Sequence, residues 1–424
     1  MIQKWLLGSK NQLKSAYFWN TGAAMLNAFQ TVFILMLISR IDPVIDAGVF
    51  TIAFAIGNLM MTIGKYGIRQ FQVSDLEEKY SFREYTITRS ISCLVMILAS
   101  FIYVGVNFFT GLYDFEKSLV IILVCLAKTI DSFEDVIHGM LQQYMRLDVA
   151  GKILSTRLFT YIVVYMAVYL VSKDLVFTSA VALIISFLQC LYLNWIALSG
   201  MEIRKKTFDY KNISGLLVEC FPLFISSYLI MYISNAPKYA IDKVMSSEVQ
   251  ACFSYIFMPV FVISLLSQFI YQPVIGKMAL YWQNNDMPSF VKMIYRQVLI
   301  VIALSVAVIL GGYFLGIPIL SLIYGVDLKG YKTSLLILLI GGGALALVNF
   351  LQMIITVARK QNFLIIGYLA AFFAFVFGGK IVVEKYGIIG ISFFYTLIVA
   401  GIGIIFIIIT ALTLKKKAEH LKRT

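Results

Sequence analysis

Apolar stretches long enough to cross a bilayer recur twelve times along this chain, at about 15–38, 47–64, 87–109, 119–138, 153–171, 178–199, 215–234, 249–271, 293–315, 333–357, 363–383 and 389–413. Each holds close to the ~20 residues that an α-helix needs to span hydrocarbon. The stretches are continuous rather than alternating, which argues against the strands of a membrane barrel. The pattern therefore predicts an all-α polytopic membrane protein of about 12 transmembrane helices.

One stretch departs from the pattern. Leu119–Gln142 begins as LVIILVCLA and continues as KTIDSFEDVIHGMLQ. Lys128, Asp131, Asp135, His138 and Gln142 follow one another at helical spacing. At 100° per residue they share a sector of about 80°, with Glu134 beside it. A charge near mid-depth costs on the order of 2.5–3.5 kcal/mol, so residues kept there are functional candidates by default. The eleven Leu, Ile, Val and Phe residues from 119 to 138 return only about 4–5 kcal/mol at ~0.4 each. This helix needs neighbours that hide its charged face, or a water-filled cavity for that face to line.

Two earlier runs carry weaker polar stripes. In the second, Thr51, Asn58, Thr62, Lys65 and Arg69 lie within about 60° on a helical projection. The two cations read either as positive residues snorkelling to lipid phosphates or as the mouth of a polar cavity. In the first, Asn20, Ala24, Asn27 and Thr31 form a small and polar stripe. It suits helix packing through small residues and cavity lining equally. Arg157, four residues into the fifth run, is likewise either a snorkelling cation or a cavity residue. The third run reads as apolar and quiet.

Composition agrees with the pattern. Hydrophobic residues make up 60% of the 424 residues, charged residues only 13%, and the mean hydropathy is +0.88. A soluble chain would carry about twice that charged fraction. The net charge of +13 would suggest nucleic acid in a soluble protein, but here it has a membrane explanation. Of the 35 Lys and Arg residues, 22 fall in segments on the side of the N-terminus and eight in the opposite loops. That asymmetry places both termini in the cytoplasm. The five cysteines are scattered and show no CxxC pair, so neither a disulfide framework nor a zinc site is expected. His138 and His420, the two histidines, sit in no nucleophile or metal constellation. The reading is a non-enzyme with no cofactor. The basic tail KKKAEHLKRT reads as a surface-bound end.

The chain divides near residue 203 into two halves of six runs, 1–202 and 203–424. Shifting one on the other sets Gly48-Val49-Phe50 against Ala251-Cys252-Phe253 and Arg40 against Lys243. Halves with an even number of spans share one orientation, so the expected relation is a parallel repeat about a pseudo-two-fold axis along the membrane normal, as in rocking-bundle transporters. The charged residues expected at membrane depth are concentrated in the first half. In the second, Pro237 among Asn235, Lys238 and Asp242 predicts an interrupted or ending helix, and Gly341-Gly342-Gly343 predicts close helix contact.

Three stretches carry a family resemblance: DAGVFTIAFAIGNLMMTIGKYGIRQFQVSD (Asp46–Asp75), DVIHGMLQQYMRLDVAGK (Asp135–Lys152) and NAPKYAIDKVMSSEVQACFSYIFMP (Asn235–Pro259). With the length, span count and two-bundle division, the chain resembles the polysaccharide-export, Wzx-type O-antigen flippase branch of the multidrug/oligosaccharidyl-lipid/polysaccharide (MOP) superfamily. The resemblance implies translocation of a polyprenyl-pyrophosphate-linked oligosaccharide between leaflets of the bacterial cytoplasmic membrane. Its cation-lined cavity would correspond to Lys65, Arg69, Lys128 and Arg157. Asp131, Glu134, Asp135 and His138 would then compensate charge or couple transport to H⁺ or Na⁺. Asn20, Asn27, Thr51, Asn58 and Thr62 would line the cavity with polar groups. Membrane lipids and other polysaccharide-assembly proteins are the further partners implied, and nucleic acid is not. Two other readings stand beside this one: a drug or small-cation antiporter of the same architecture, and a membrane-embedded glycan polymerase or ligase.

Overall fold

The structure is a computed structural model that describes residues 2–41, 45–75, 79–201, 208–271 and 274–423. Two compact units follow one another, Met1–Met231 and Tyr232–Thr424, and the boundary falls inside a helix. The first unit contains α1 (Ile2–Leu7), α2 (Gln12–Ile41), α3 (Ile45–Lys65), α4 (Ile68–Ser74), α5 (Phe82–Phe109), α6 (Phe115–Gln143), α7 (Leu147–Ser172), α8 (Leu175–Ser199) and the start of α9 (Lys211–Asp242). The second contains the rest of α9, then α10 (Ser247–Tyr271), α11 (Ile275–Gln283), α12 (Met287–Gly311), α13 (Ile317–Tyr324), α14 (Lys332–Val357) and α15 (Leu364–Arg423). No strand occurs among the described residues.

Ten of the described helical segments are long and apolar enough to cross a membrane. Helix α6 is not among the ten, although it has 29 residues, because its second half carries too many charges. Helix α15 counts once, yet it is two helices that meet at Gly387 (φ 59°, ψ −148°). Its arms run back along each other, so that Gly378 packs on Phe394 and Gly367 on Phe406.

Local sequence explains where the helices begin. Asp114, Asp174 and Asp286 each stand one residue before a helix and accept a hydrogen bond from a first-turn amide: Lys117 at 2.7 Å, Phe177 at 2.8 Å and Ser289 at 3.1 Å. Such N-caps satisfy amides that the helix itself leaves orphaned. Ser81 and Glu84 form a reciprocal capping box at the start of α5, the arrangement that closes two orphan donors at once.

Three features depart from the sequence reading. The helical stripe that included Lys65 and Arg69 is cut between them: α3 stops at Lys65, and Tyr66 (φ 46°) and Gly67 (φ 69°) turn the chain into α4. Proline 237 does not interrupt its helix, which runs on to Asp242. The amino-terminal segment, whose basic residues with apolar interruptions suit a stretch lying flat on a membrane surface, packs into the first unit instead. Leu6 is buried in the core of the first unit, and Lys152 donates to the carbonyl oxygens of Trp5 (2.7 Å) and Leu6 (3.2 Å). A lysine there satisfies C-terminal carbonyls that α1 leaves unpaired. The glycine triplet of α14 behaves as expected: a Cβ on Gly342 would lie 3.2 Å from the Val260 backbone, and one on Gly341 would lie 2.7 Å from the Thr396 hydroxyl.

The Tyr66-Gly67 corner is tightly determined. The Tyr66 ring stacks on Phe224 at 4.7 Å, and a Cβ on Gly67 would lie 2.6 Å from that of Leu223. Left-handed backbone costs an L-residue about 1–2 kcal/mol even where space is free. Gly67→Ala is therefore expected to destabilise the protein by at least about 1–2 kcal/mol. A melting curve in detergent checks this, and an unshifted midpoint would show that the corner can relax.

Candidate functional site

Helix α6 sits at the centre of the first unit, with α3, α4, α5, α7 and α8 all packed against it. Its amino-terminal half is apolar and buried at Val120, Ile121, Val124 and Cys125. Its carboxy-terminal half presents the charged stripe to side chains from five neighbouring helices. The close approach of α3 depends on Gly64, where a Cβ would fall 2.7 Å from both the Ser132 hydroxyl and the Met96 sulfur.

Two charge clusters result. In the first, Arg157 of α7 is 2% exposed. Its Nη2 lies 2.6 Å from Asp131 Oδ1, its Nε donates to Glu134 Oε2 at 2.9 Å and its Nη1 to Ser186 Oγ at 3.1 Å. Asn194 of α8 donates to the other Glu134 oxygen at 2.9 Å. Lys128 pairs with Asp131 at 3.2 Å and its ammonium stands 5.2 Å from the centre of the Phe54 ring. The His138 Nε2 is 3.9 Å from Glu134, too far for a hydrogen bond.

The second cluster lies about one turn further along α6. Asp135 takes Arg69 of α4 at 3.1 Å on one oxygen and Arg89 of α5 at 3.0 Å on the other. Arg69 also donates to Gln142 at 3.1 Å. Arg89 is fully buried and donates to the Gly64 carbonyl at 3.0 Å, which Ser92 shares at 2.7 Å. Removing one partner of such a pair would leave a buried charge uncompensated, and that is the large penalty in a dry interior.

The signs do not balance. Lys65, Arg69, Arg89, Lys128 and Arg157 face Asp131, Glu134 and Asp135, which leaves two net positive charges. Each carboxylate is already engaged by at least one cation. Lys65 is different. It is half-buried and near enough to Asp131 and Asp135 to act on both by charge, yet among the described residues its ammonium has no hydrogen bond or ion pair. An anion entering this region would find a cation still unoccupied.

The structure thus brings Lys65, Arg69, Lys128, Arg157, Asp131, Glu134, Asp135 and His138 together around α6. The polar residues divide. Asn20 donates to the Leu147 carbonyl at 2.9 Å and ties α2 to the start of α7. The hydroxyls of Thr51 and Thr62 donate to carbonyls of their own helix, Gly48 and Leu59. Asn58 is half-buried and Asn27 exposed, and neither amide has a hydrogen-bond partner among the described residues. Sequence reasoning passed over Arg89, Ser186 and Asn194. Arg89 had a signal, a cation near the start of the otherwise quiet third run, whereas a lone Ser or Asn in an apolar helix has none. In the second unit Lys238 is buried (5% exposed), its ammonium 5.8 and 5.9 Å from the ring centres of Phe257 and Phe261. That half is therefore not free of charge in its interior. Among the described residues no three of His, Cys, Asp and Glu are placed to hold a metal ion.

No protein-family model matches the chain. A curated relative, the capsular polysaccharide biosynthesis protein CapF of Staphylococcus aureus, is 22% identical over 389 residues, which cover 88% of this chain and 93% of the relative. Among solved structures, the lipid II flippase MurJ in an inward closed conformation aligns with a TM-score of 0.72 at 13% identity, covering 93% of this chain and 89% of MurJ. The eukaryotic multidrug and toxin extrusion (MATE) transporter AtDTX14 aligns with a TM-score of 0.66 at 13% identity over 96% and 98% of the two chains. An inward-facing MATE transporter of the MOP superfamily aligns at 0.61 and 13% identity, over 95% and 96%. The chain shares the fold of MurJ and of these MATE transporters.

Proposed function

We propose that this protein is a flippase that carries a polyprenyl-pyrophosphate-linked oligosaccharide from the inner to the outer leaflet of the bacterial cytoplasmic membrane, by alternating access, for cell-surface polysaccharide assembly. The observation that carries the reading is the uncompensated positive charge around α6, with Lys65 unpaired. A pyrophosphate cannot enter hydrocarbon without replacements for its water, and Lys and Arg side chains supply charge-assisted donors for phosphate oxygens. The capsular polysaccharide relative supports a substrate of this class, and the structural likeness to a lipid II flippase is in keeping with it. Lys65, Lys128, Arg69 and Arg157 would meet the phosphates, with Asn27 and Asn58 as free amides for sugar hydroxyls. The polyprenyl tail would stay in lipid.

Counting α6 as a span and α15 as two, we read twelve transmembrane helices, an even number that returns both termini to the side where they began. The excess of Lys and Arg makes that side the cytoplasm. A MATE-like exporter of cationic drugs fits the same fold less well chemically. Such a cargo needs a free carboxylate, and Asp131, Glu134 and Asp135 are each held by a cation. Coupling to H⁺ or Na⁺ through one of these acids or through His138 belongs to the same proposal.

The test is deletion of the gene in its host, followed by an accessibility assay for lipid-linked repeat units in each leaflet. Units should accumulate in the inner leaflet and return to the outer one on complementation. Normal arrival at the outer leaflet without the protein, and with no paralogue present, would end the proposal. Export of a cationic dye by the purified protein in vesicles, with no lipid-linked glycan moved, would favour the antiporter instead.

A further inference from the structure

A second basic site lies in the other unit, far along the chain from α6, and the proposed transport does not use it. Lys360 precedes the first arm of α15, while Lys416 and Lys417 lie in the last third of the second, which runs on to Arg423. Because the two arms double back at Gly387, with Gly367 against Phe406, the start of α15 comes beside this part of the second arm. There they border a cavity of about 540 Å³ whose lining includes Trp282 of α11, Phe363 and Leu412. The Lys417 ammonium lies 5.1 Å from the Trp282 ring centre. The ammonium groups of Lys360 and Lys416 have no hydrogen bond or ion pair among the described residues.

We infer that this cavity is a binding site for an anionic phospholipid of the cytoplasmic leaflet, its phosphate held by Lys360, Lys416 and Lys417 and its upper chain laid on Phe363, Leu412 and Trp282. Three cations from two separate segments converge on one mouth. Lysines that merely snorkel would spread toward the lipid surface independently, whereas here one is held over an indole. The cavity is amphiphilic, with a charged rim over an aromatic and aliphatic wall, and its volume far exceeds what a lone phosphate would fill. Tryptophan and lysine are the residues that anchor at the headgroup level, and basic pockets between helices on the cytoplasmic side suit anionic headgroups. Zwitterionic lipids offer no net charge to the three lysines, so the site selects by headgroup.

Trp282 supplies the probe. In nanodiscs, brominated phosphatidylglycerol should quench tryptophan fluorescence more than brominated phosphatidylcholine at equal mole fraction. The excess should vanish in Trp282→Phe, which leaves the other three of the four tryptophans in place. At the usual electrostatic contribution per lysine, the variant Lys360→Gln/Lys416→Gln/Lys417→Gln should bind phosphatidylglycerol roughly 100-fold more weakly. Among the described residues these side chains make no ion pair, so the variant should melt like the parent. Equal quenching by the two lipids, or an excess that survives the triple substitution, would overturn the inference. So would suppression of the excess by inorganic phosphate at modest ionic strength, which would assign the site to a free anion.

Discussion

Glu134→Ala is expected to lower folding stability by about 3–5 kcal/mol, the cost of breaking a buried ion pair from one side. Glu134 is 1% exposed and answers Arg157 and Asn194 with separate oxygens, each at 2.9 Å. Without it, Arg157 retains Asp131 and Ser186, but its Nε is left buried with no acceptor. Asn194 keeps only local partners on its own helix. Glu134→Gln retains the shape and loses the charge, so it should be milder. The paired replacement Glu134→Met with Arg157→Leu removes both charges and should recover most of the stability. Melting in detergent for the single and double variants gives the coupling directly. If the double variant is no more stable than the alanine single, packing rather than charge holds this region together.

Lys65→Ala should do the reverse, leaving the fold intact while disabling transport. Among the described residues no acid is bonded to its ammonium, so its removal strands no partner. If the ammonium donates to a substrate phosphate, losing a hydrogen bond to a charged group should weaken substrate affinity about 10- to 100-fold. Lys65→Arg should retain much of the activity, and Lys65→Glu should abolish it by repulsion. The leaflet assay reads activity, and a thermal melt on the same preparations shows whether stability has changed. Full activity of Lys65→Glu with an unshifted melt would remove Lys65 from the site and with it the main electrostatic argument for an anionic cargo.

How far these features could be seen beforehand depended on whether they repeat along one helix. The α6 stripe did, since Lys128, Asp131, Asp135 and His138 share a face whatever packs against it. Their partners did not. Arg89 and Asn194 reach α6 from two other helices, Ser186 supports Arg157 of α7, and no periodicity in one helix can report a contact made across a bundle. The Arg69 position was reached by the wrong route: it fits the α3 stripe at four residues beyond Lys65, yet a left-handed turn intervenes and the side chain arrives from α4. The glycine after Lys65 and Tyr66 was the available sign, because a glycine just past a helix end commonly takes the left-handed conformation. The opposite case is α6 itself. Its charges keep it out of the ten segments that are long and apolar enough to cross a membrane, whereas its apolar first half is what makes the sequence read it as a span. Lys238 was passed over because a single charge beside Pro237 looked like the end of a helix, and the helix continues.

The lysine that closes α1 is relevant to the order in which this protein is made. In the topology proposed above, Lys152 counts among the charges that orient the chain as it enters the membrane, when it is still solvated and its sign alone matters. In the finished protein it is buried, 4% exposed, and bonded to two carbonyls and to Ser9 at 2.7 Å. Substituting this residue therefore acts at two moments, during insertion and again in the folded state, and a low yield of the variant would not by itself say which was disturbed. Arginine at 152 preserves the sign that insertion reads while altering the hydrogen bonds, and so separates the two.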